Sequence, residues 1–413
     1  MWRGCFRRCE REVSFEVTTI NTNLNKAWIE KEDDQYFYLK DTRFETSFAN
    51  DINKQAKIAW NKYFSAKRGY DLNGTFKVGS IVDIVKQFRN GDKSVFPKNI
   101  EVVTGGFPCQ DFSVSGKRKG FKSHKDHNGR IIDATIPTEE TRGKLYMWMK
   151  EVIEITSPKI FIAENVKGLA NLGQVKEIIQ SDFSAINGDG YLVLSPKVLH
   201  AGYYGIPQSR ERIFFIGFKK SALTKKALEE LSKTDVREEY SPYPIPTHKL
   251  NGEIHYTSIQ HLMKSYTKCK EVLLDLEEPE TAEDLSQKYY SKAKFMGKHC
   301  QGQKEIDLER LAPTIRAEHH GNIEFRRLSI ENGGKIHDEL SNGKIERRLT
   351  LRECARIQTF PDDFDFVIPS QEKKARFAVS PSAGYKLVGN AVPPLLAYHI
   401  AKKIESNWTL YFN

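Results

Sequence analysis

Residues 100–113 read IEVVTGGFPCQDFS. A short apolar run stops at a Gly-Gly pair, and a proline, a cysteine and a glutamine follow. Runs of four to eight apolar residues bounded by turn formers read as buried strands. In open α/β sheets the loops beyond the carboxyl ends of strands carry the chemistry, so Cys109 stands where a working side chain would be placed. Further runs of the same kind are RFETSFA (43–49), KIFIAENV (159–166), YLVLSPKVL (191–199) and RIFFIGF (212–218). QAKIAWNKYF (55–64) and GKLYMWMKEVIEI (143–155) lie between them with helical periodicity. This alternation, from about residue 45 to 218, predicts an α/β domain built as a doubly wound, mostly parallel sheet.

The chain has 413 residues, enough for two domains or three. Its six cysteines (Cys5, Cys9, Cys109, Cys269, Cys300 and Cys354) show neither a CxxC pair nor a zinc spacing, which argues against a disulfide framework or a structural metal and for a reducing compartment. No apolar run is long enough for a membrane span and the N-terminus lacks a secretory core, so a soluble, cytosolic protein is expected. Basic residues exceed acidic ones, 64 against 54, and the net charge of +10 suits a polyanionic partner. From about 219 to 345 the texture becomes Lys- and Glu-rich, with the cluster SPYPIPTH and several Asn-Gly turns, marking a second and less regular domain. After it, Thr350 and Glu353 form a capping-box signature at the head of a helix over 347–360. The closing YKLVGNAVPPLLAYHIAKKIE reads as a Gly-Asn turn followed by a proline-initiated helix.

Five segments stand in order: GFPCQDFS with Cys109, ENV with Glu164, QSRERIFFIG with Gln208, Arg210 and Arg212, RLTLRECARIQTFPDDF, and GNAVPP. Together they resemble the cytosine-5 DNA methyltransferase family over most of the chain. The resemblance implies the Rossmann-like fold of S-adenosylmethionine-dependent methyltransferases, with a catalytic domain over 1–218 completed by 385–413 and a target-recognition domain over 219–384. It implies S-adenosylmethionine as methyl donor, no metal, double-stranded DNA as substrate, a monomer and a cytoplasmic, nucleoid-associated place in a bacterium. A restriction endonuclease acting on the same sequence would be the partner.

The residue types fit that chemistry. Cytosine C5 is a poor nucleophile until a thiolate adds at C6, and Cys109 suits this role. The charge then driven toward N3 and O2 calls for a proton donor, Glu164, and a cation, Arg212. Arg210 is expected to hold the loop and a carboxylate partner. A duplex must release the base into the pocket, and the glycine- and lysine-containing DFSVSGKRKGF (111–121) reads as a closing loop. By resemblance Asp51, Ile52, Ser80, Ile81, Pro108, Leu145, Asn390, Ala391 and Val392 face the cofactor. Gln208, Thr314, Arg316, Arg326 and Arg327 are the expected DNA contacts.

The resemblance departs at two places. Ser80 stands where many members carry an aspartate, with Asp83 nearby. The family opens on a strand and Phe-x-Gly-x-Gly, and nothing before Asp51 matches it. A reading frame displaced by one nucleotide would turn Met-Trp-Arg into Cys-Gly and allow Ala-Gly next, restoring the turn. If the turn is lost, the first strand and much of the methionine pocket are expected to go with it, leaving a DNA-binding relative without transfer. Methylation of RNA is the third reading, disfavoured by the long region between Phe218 and Arg347.

Overall fold

The apolar runs of the first half of the chain assemble into one nine-stranded sheet in a computed structural model. The structure describes residues 4–18, 28–32, 36–69, 72–107, 146–171, 175–188, 190–250, 263–317, 323–372 and 375–412. The strands are β1 (Gly4–Thr18), β2 (Ile29–Glu32), β3 (Tyr36–Asp51), β4 (Phe76–Val78), β5 (Val102–Gly106), β6 (Ile160–Val166), β7 (Tyr191–Val193), β8 (Lys197–His200) and β9 (Glu211–Lys219). Their order is β2-β3-β1-β5-β6-β9-β7, with β4 beside β3 and β8 beside β9.

Strand β9 shows why such runs form central strands. Ile213 and Phe215 enter one core, while Phe214, Ile216 and Phe218 enter the other. A strand buried on both faces gains from apolar residues at every position. After α1 (Lys54–Arg68), one core is covered by α2 (Ile81–Arg89), α3 (Tyr146–Thr156) and α4 (Val175–Ser184) through Val85, Ile153 and Phe183. The opposite face is covered by the C-terminal helix Pro394–Ser406 and Trp408–Tyr411 through Leu395, Leu396, Ile400 and Tyr411. The sheet is therefore covered by helices on both faces, as expected for α/β.

Its strand directions differ from the expected mostly parallel arrangement. Only β3 with β4 and β5 with β6 are parallel; the other pairings are antiparallel. YLVLSPKVL breaks into β7 and β8 around Ser195–Pro196, because proline has no N–H to give a ladder. Both pieces return against β9. Strand β1 lies between β3 and β5 and runs antiparallel to both, Gly4 opposite Ala49 and Thr104. The expected loss of the first strand is thus corrected: the place between β3 and β5 is filled, in the inverted direction. An open slot there would leave two rows of buried backbone groups without partners, and either strand direction satisfies them.

A second core gathers Cys269, Val272, Ile306, Ile315, Phe325, Leu351, Ile357, Phe366 and Val388. The chain does not enter it directly at residue 219. The helix α5 (Lys225–Leu231), Tyr240 and Tyr243 still pack on the first core. On return, the helix Pro381–Asn390 packs on the second core through Tyr385 and Val388, and the first core resumes at Val392. The expected Gly-Asn turn is therefore the end of a helix. The capping box forms as read: the Glu353 amide donates to Thr350 Oγ1 at 3.0 Å and the Thr350 amide to Glu353 Oε2 at 2.7 Å. Among the described residues no helix is long and apolar enough to cross a membrane.

Candidate active site

Strands β5, β6 and β9 lie side by side and bring three of the expected segments together. Gly106 is level with Glu164 on the parallel β5–β6 pair. On the antiparallel β6–β9 pair Glu164 faces Phe214, so Arg212, two residues away, is its diagonal neighbour on the same face. The Arg212 Nε and Glu164 Oε1 are 2.9 Å apart, with 13% and 18% of the two side chains exposed. Arg212 Nη1 also donates to the Glu211 carbonyl at 2.8 Å. A Cβ on residue 106 would stand 3.0 Å from Glu164 Oε2, so the glycine leaves room for the carboxylate.

Asn165, the middle of the ENV segment and not singled out by sequence, is 2% exposed. Its Nδ2 donates to the Phe107 carbonyl at 3.3 Å, and its Oδ1 accepts from the Val166 amide at 2.9 Å. It fixes the point at which the chain leaves β5 toward Cys109. Cys109, Pro108, Leu145 and the DFSVSGKRKGF loop lie outside the described residues. Of the other thiols, burial pushes Cys269 up to about 12 and raises Cys354 well above the usual range, so neither is a nucleophile at neutral pH.

Arg210 is 1% exposed and holds backbone: Nη1 donates to Ile315 O at 2.9 Å, and Nη2 to Gly389 O and Ala391 O at 2.8 Å each. Three hydrogen bonds thus tie it to carbonyls from distant parts of the chain. Such carbonyls are left over where a helix ends and where a loop crosses it.

Asp51 and Ser80 come together at the ends of the parallel strands β3 and β4. Asp51 is level with Val78, its carbonyl accepts from the Gly79 amide at 3.1 Å, and its Oδ1 accepts from the Asn53 amide at 3.0 Å. Asn50 clamps the neighbouring turn through Lys77 O and Gly79 O, both at 3.0 Å. Ser80 is buried as the N-cap of α2, and Ile81 is the first residue of that helix. Ile52 is 58% exposed, an apolar side chain presented at the strand end. Asn390 ends a helix, Ala391 is held by Arg210, and Val392 is buried in the first core.

The expected DNA contacts divide. Thr314 is at the surface and its Oγ1 donates to Ser209 O at 2.6 Å. Arg316 pairs with Glu324 at 2.8 Å and keeps 23% of its side chain exposed. Gln208, Arg326 and Arg327 are buried. Gln208 Nε2 donates to Gln358 Oε1 at 3.1 Å and its Oε1 accepts from the Ile315 amide at 3.1 Å. Arg326 pairs with Glu339 at 2.7 Å; Arg327 binds Glu278 at 2.9 and 2.6 Å and Glu339 at 2.6 Å. Arg347 joins them, bound to Glu278 and Glu353. A desolvated guanidinium is stabilised by such ion pairs; Arg327 and Arg347 are each held by two carboxylates, whereas Arg326 Nη1 has no hydrogen-bond partner among the described residues.

This network carries a pH dependence. Burial would raise the Glu278 carboxyl, but Arg327 and Arg347 outweigh it and hold it at about 2, below its ordinary 4.5. Its contribution to stability is then complete above about 4.5 and lost as pH falls toward 2. Glu278→Gln is expected to lower the unfolding free energy at pH 7 by about 1–3 kcal/mol, with the deficit shrinking between pH 4.5 and 2. Urea titrations at several pH values check this; a deficit that does not change with pH would remove the carboxylate from the account.

Several known proteins are similar to this chain. A family model described as C-5 cytosine-specific DNA methylase matches residues 36–406; β1 and β2 precede the match. The type II methyltransferase M.FnuDI of Fusobacterium nucleatum is 29% identical over 385 residues, 89% of either chain. M.HpaII of Haemophilus parainfluenzae is 29% identical over 324 residues, 76% of this chain and 74% of its own. A solved DNMT2 variant of Spodoptera frugiperda superposes with a TM-score of 0.51 at 15% identity, covering 88% of this chain and 92% of its own. The Entamoeba histolytica methyltransferase EhMeth gives 0.50 at 17%, covering 88% and 90%. At these identities the two structures show the fold.

Proposed function

The chain belongs to the C-5 cytosine-specific DNA methylase family, and from that premise we propose that it methylates C5 of a cytosine in a specific duplex sequence, with S-adenosylmethionine as donor. The observation that carries this reading is the Arg212–Glu164 pair beside Gly106, three residues before Cys109. In it Cys109 Sγ, as thiolate, bonds to C6 of a flipped base. The C5–C6 electron pair moves toward C5, N3 and O2. Glu164 holds a proton at N3 and Arg212 a positive charge at O2, each where charge develops. Asn165 orients the end of β5 at Phe107, ahead of Cys109, and Arg210 holds residues 315, 389 and 391 together.

The residues at the ends of β3 and β4 fit the adenosine side of the donor. Asp51 lends one oxygen to the Asn53 amide, leaving the other for ribose hydroxyls, and Ile52 offers an exposed apolar face for a purine. S-adenosylmethionine, when bound, supplies an electrophilic methyl group. Loss of the C5 proton to a base, expulsion of the Cys109 thiolate and return of the N3 proton to Glu164 then restore the aromatic ring. Thr314 and Arg316 are the remaining DNA contacts of this reading, and protection of host DNA from a nuclease of the same specificity is its biological role.

A second reading, DNA binding without transfer, is favoured by one observation. Strand β1 runs antiparallel to β3 and β5, and no Phe-x-Gly-x-Gly turn accompanies it. The two readings separate in one experiment: the purified chain is incubated with tritiated S-adenosylmethionine and unmethylated bacterial DNA. Label in 5-methylcytosine is the expected result; a folded protein that binds DNA and leaves it unlabelled would replace the first reading by the second.

A further inference from the structure

The expected DNA-reading backbone and the expected cofactor-side turn meet at one buried polar joint. On one side, Pro207–Arg210 is laced to residues 312–315. The Ser209 amide donates to Ala312 O at 2.7 Å, the Ala312 amide to Pro207 O at 2.9 Å and the Ile315 amide to Gln208 Oε1 at 3.1 Å. On the other side, Gln208 Nε2 reaches Gln358 Oε1 at 3.1 Å, and Gln358 Nε2 donates to Val388 O at 2.6 Å. Arg210 closes the circuit, gripping Ile315 O with one nitrogen and Gly389 O and Ala391 O with another. Gln208, Arg210 and Gln358 are at most 1% exposed.

Two further features say that this joint is held tightly. A Cβ on Gly389 would lie 2.2 Å from the Arg316 carbonyl carbon and 2.3 Å from the Ala317 nitrogen, so the helix end and the recognition backbone touch without side chains between them. Thr359, next to Gln358, has φ of 64°, a conformation a β-branched residue takes only under constraint. Its hydroxyl accepts from the Leu395 amide at 3.1 Å, tying the joint to the C-terminal helix.

We propose that Gln208, Arg210 and Gln358 are positioning residues that couple DNA binding at Thr314–Ala317 to cofactor binding at Asn390–Val392. This rests on the reading of the preceding section. A guanidinium is a rigid fork: when a DNA contact draws the Ile315 carbonyl, the same group shifts its hold on Ala391, the residue between Asn390 and Val392. Coupling of this kind is reciprocal, so each ligand tightens the other by the same factor.

Equilibrium dialysis of tritiated S-adenosylmethionine, without and with saturating unmethylated bacterial duplex DNA, measures that factor. The wild type is expected to bind the donor at least about five-fold more tightly with DNA present. Gln358→Met keeps the volume but can neither accept from Gln208 nor donate to Val388. It is expected to bind the donor in the absence of DNA within about two-fold of wild type while the coupling factor falls toward one, a change that loss of stability alone does not produce. If Gln358→Met does not fold by circular dichroism, Gln208→Asn, too short to reach Gln358, takes its place with the same expected loss of coupling. A variant with undiminished coupling, or a wild type that methylates DNA yet binds its two ligands independently, overturns the proposal and leaves the functional reading standing. A wild type that binds DNA and transfers no methyl group fails the functional reading instead.

Discussion

Cys109→Ser is expected to abolish methyl transfer, by a factor on the order of 10⁴ or more, the loss seen when a covalent catalyst loses its nucleophile. A serine hydroxyl has nearly the size of the thiol but is not ionised near neutral pH and is a poor nucleophile toward C6, whereas a few per cent of an ordinary thiol is already thiolate. The substitution changes one atom, so DNA binding is expected to persist within a few-fold by gel retardation. Transfer that survives in Cys109→Ser would remove Cys109 from the role of nucleophile. A denaturation-resistant complex with duplex DNA carrying 5-fluorocytosine, formed by wild type and not by the variant, is the independent readout. Fluorine at C5 cannot leave as a proton does, so the Cys109–C6 bond would persist.

How much of this was legible in the sequence depends on whether the signal is local. Strands β5, β6 and β9 are short apolar runs bounded by turns, and each forms where its run stands. The capping box at Thr350 is contained in four residues and forms as read. Strand direction is not local. Nothing within YLVLSPKVL says that both halves return against β9, and nothing near Gly4 says which way β1 will run between β3 and β5.

The arginines show the same limit in chemical terms. Arg326 and Arg327, two adjacent cations, read as DNA contacts from the sequence alone. Their partners Glu278 and Glu339 are supplied from elsewhere, and together they make the segment interior. Gln208 reads as a DNA contact and Arg210 as a residue holding the active-site loop, and both side chains are buried between two cores. Glu164 and Arg212 were assigned separate roles on one base. Their meeting at 2.9 Å follows from the β6–β9 register, which a list of segments does not contain.

That meeting sets the second large effect. Glu164→Gln preserves the size of the side chain and a carbonyl oxygen for Arg212, but it cannot pass a proton to N3 and it leaves Arg212, only 13% exposed, without its counter-charge. Proton transfer of this kind contributes roughly 10²–10⁴-fold, and a drop in kcat of that size is expected with the KM for DNA little changed. Arg212→Met removes the charge at O2, where a single preorganised donor is worth about 10²–10³-fold. If each residue acts on the base only in the presence of the other, the double variant will be about as impaired as the worse single one; residues in direct contact depart from additivity in this way. Rates that multiply across the two variants would mean that Glu164 and Arg212 work independently and that their ion pair in the free protein is a resting contact. A Glu164→Gln enzyme with wild-type kcat would show that N3 takes its proton from elsewhere, and the 2.9 Å contact would then serve only to hold β6 and β9 together.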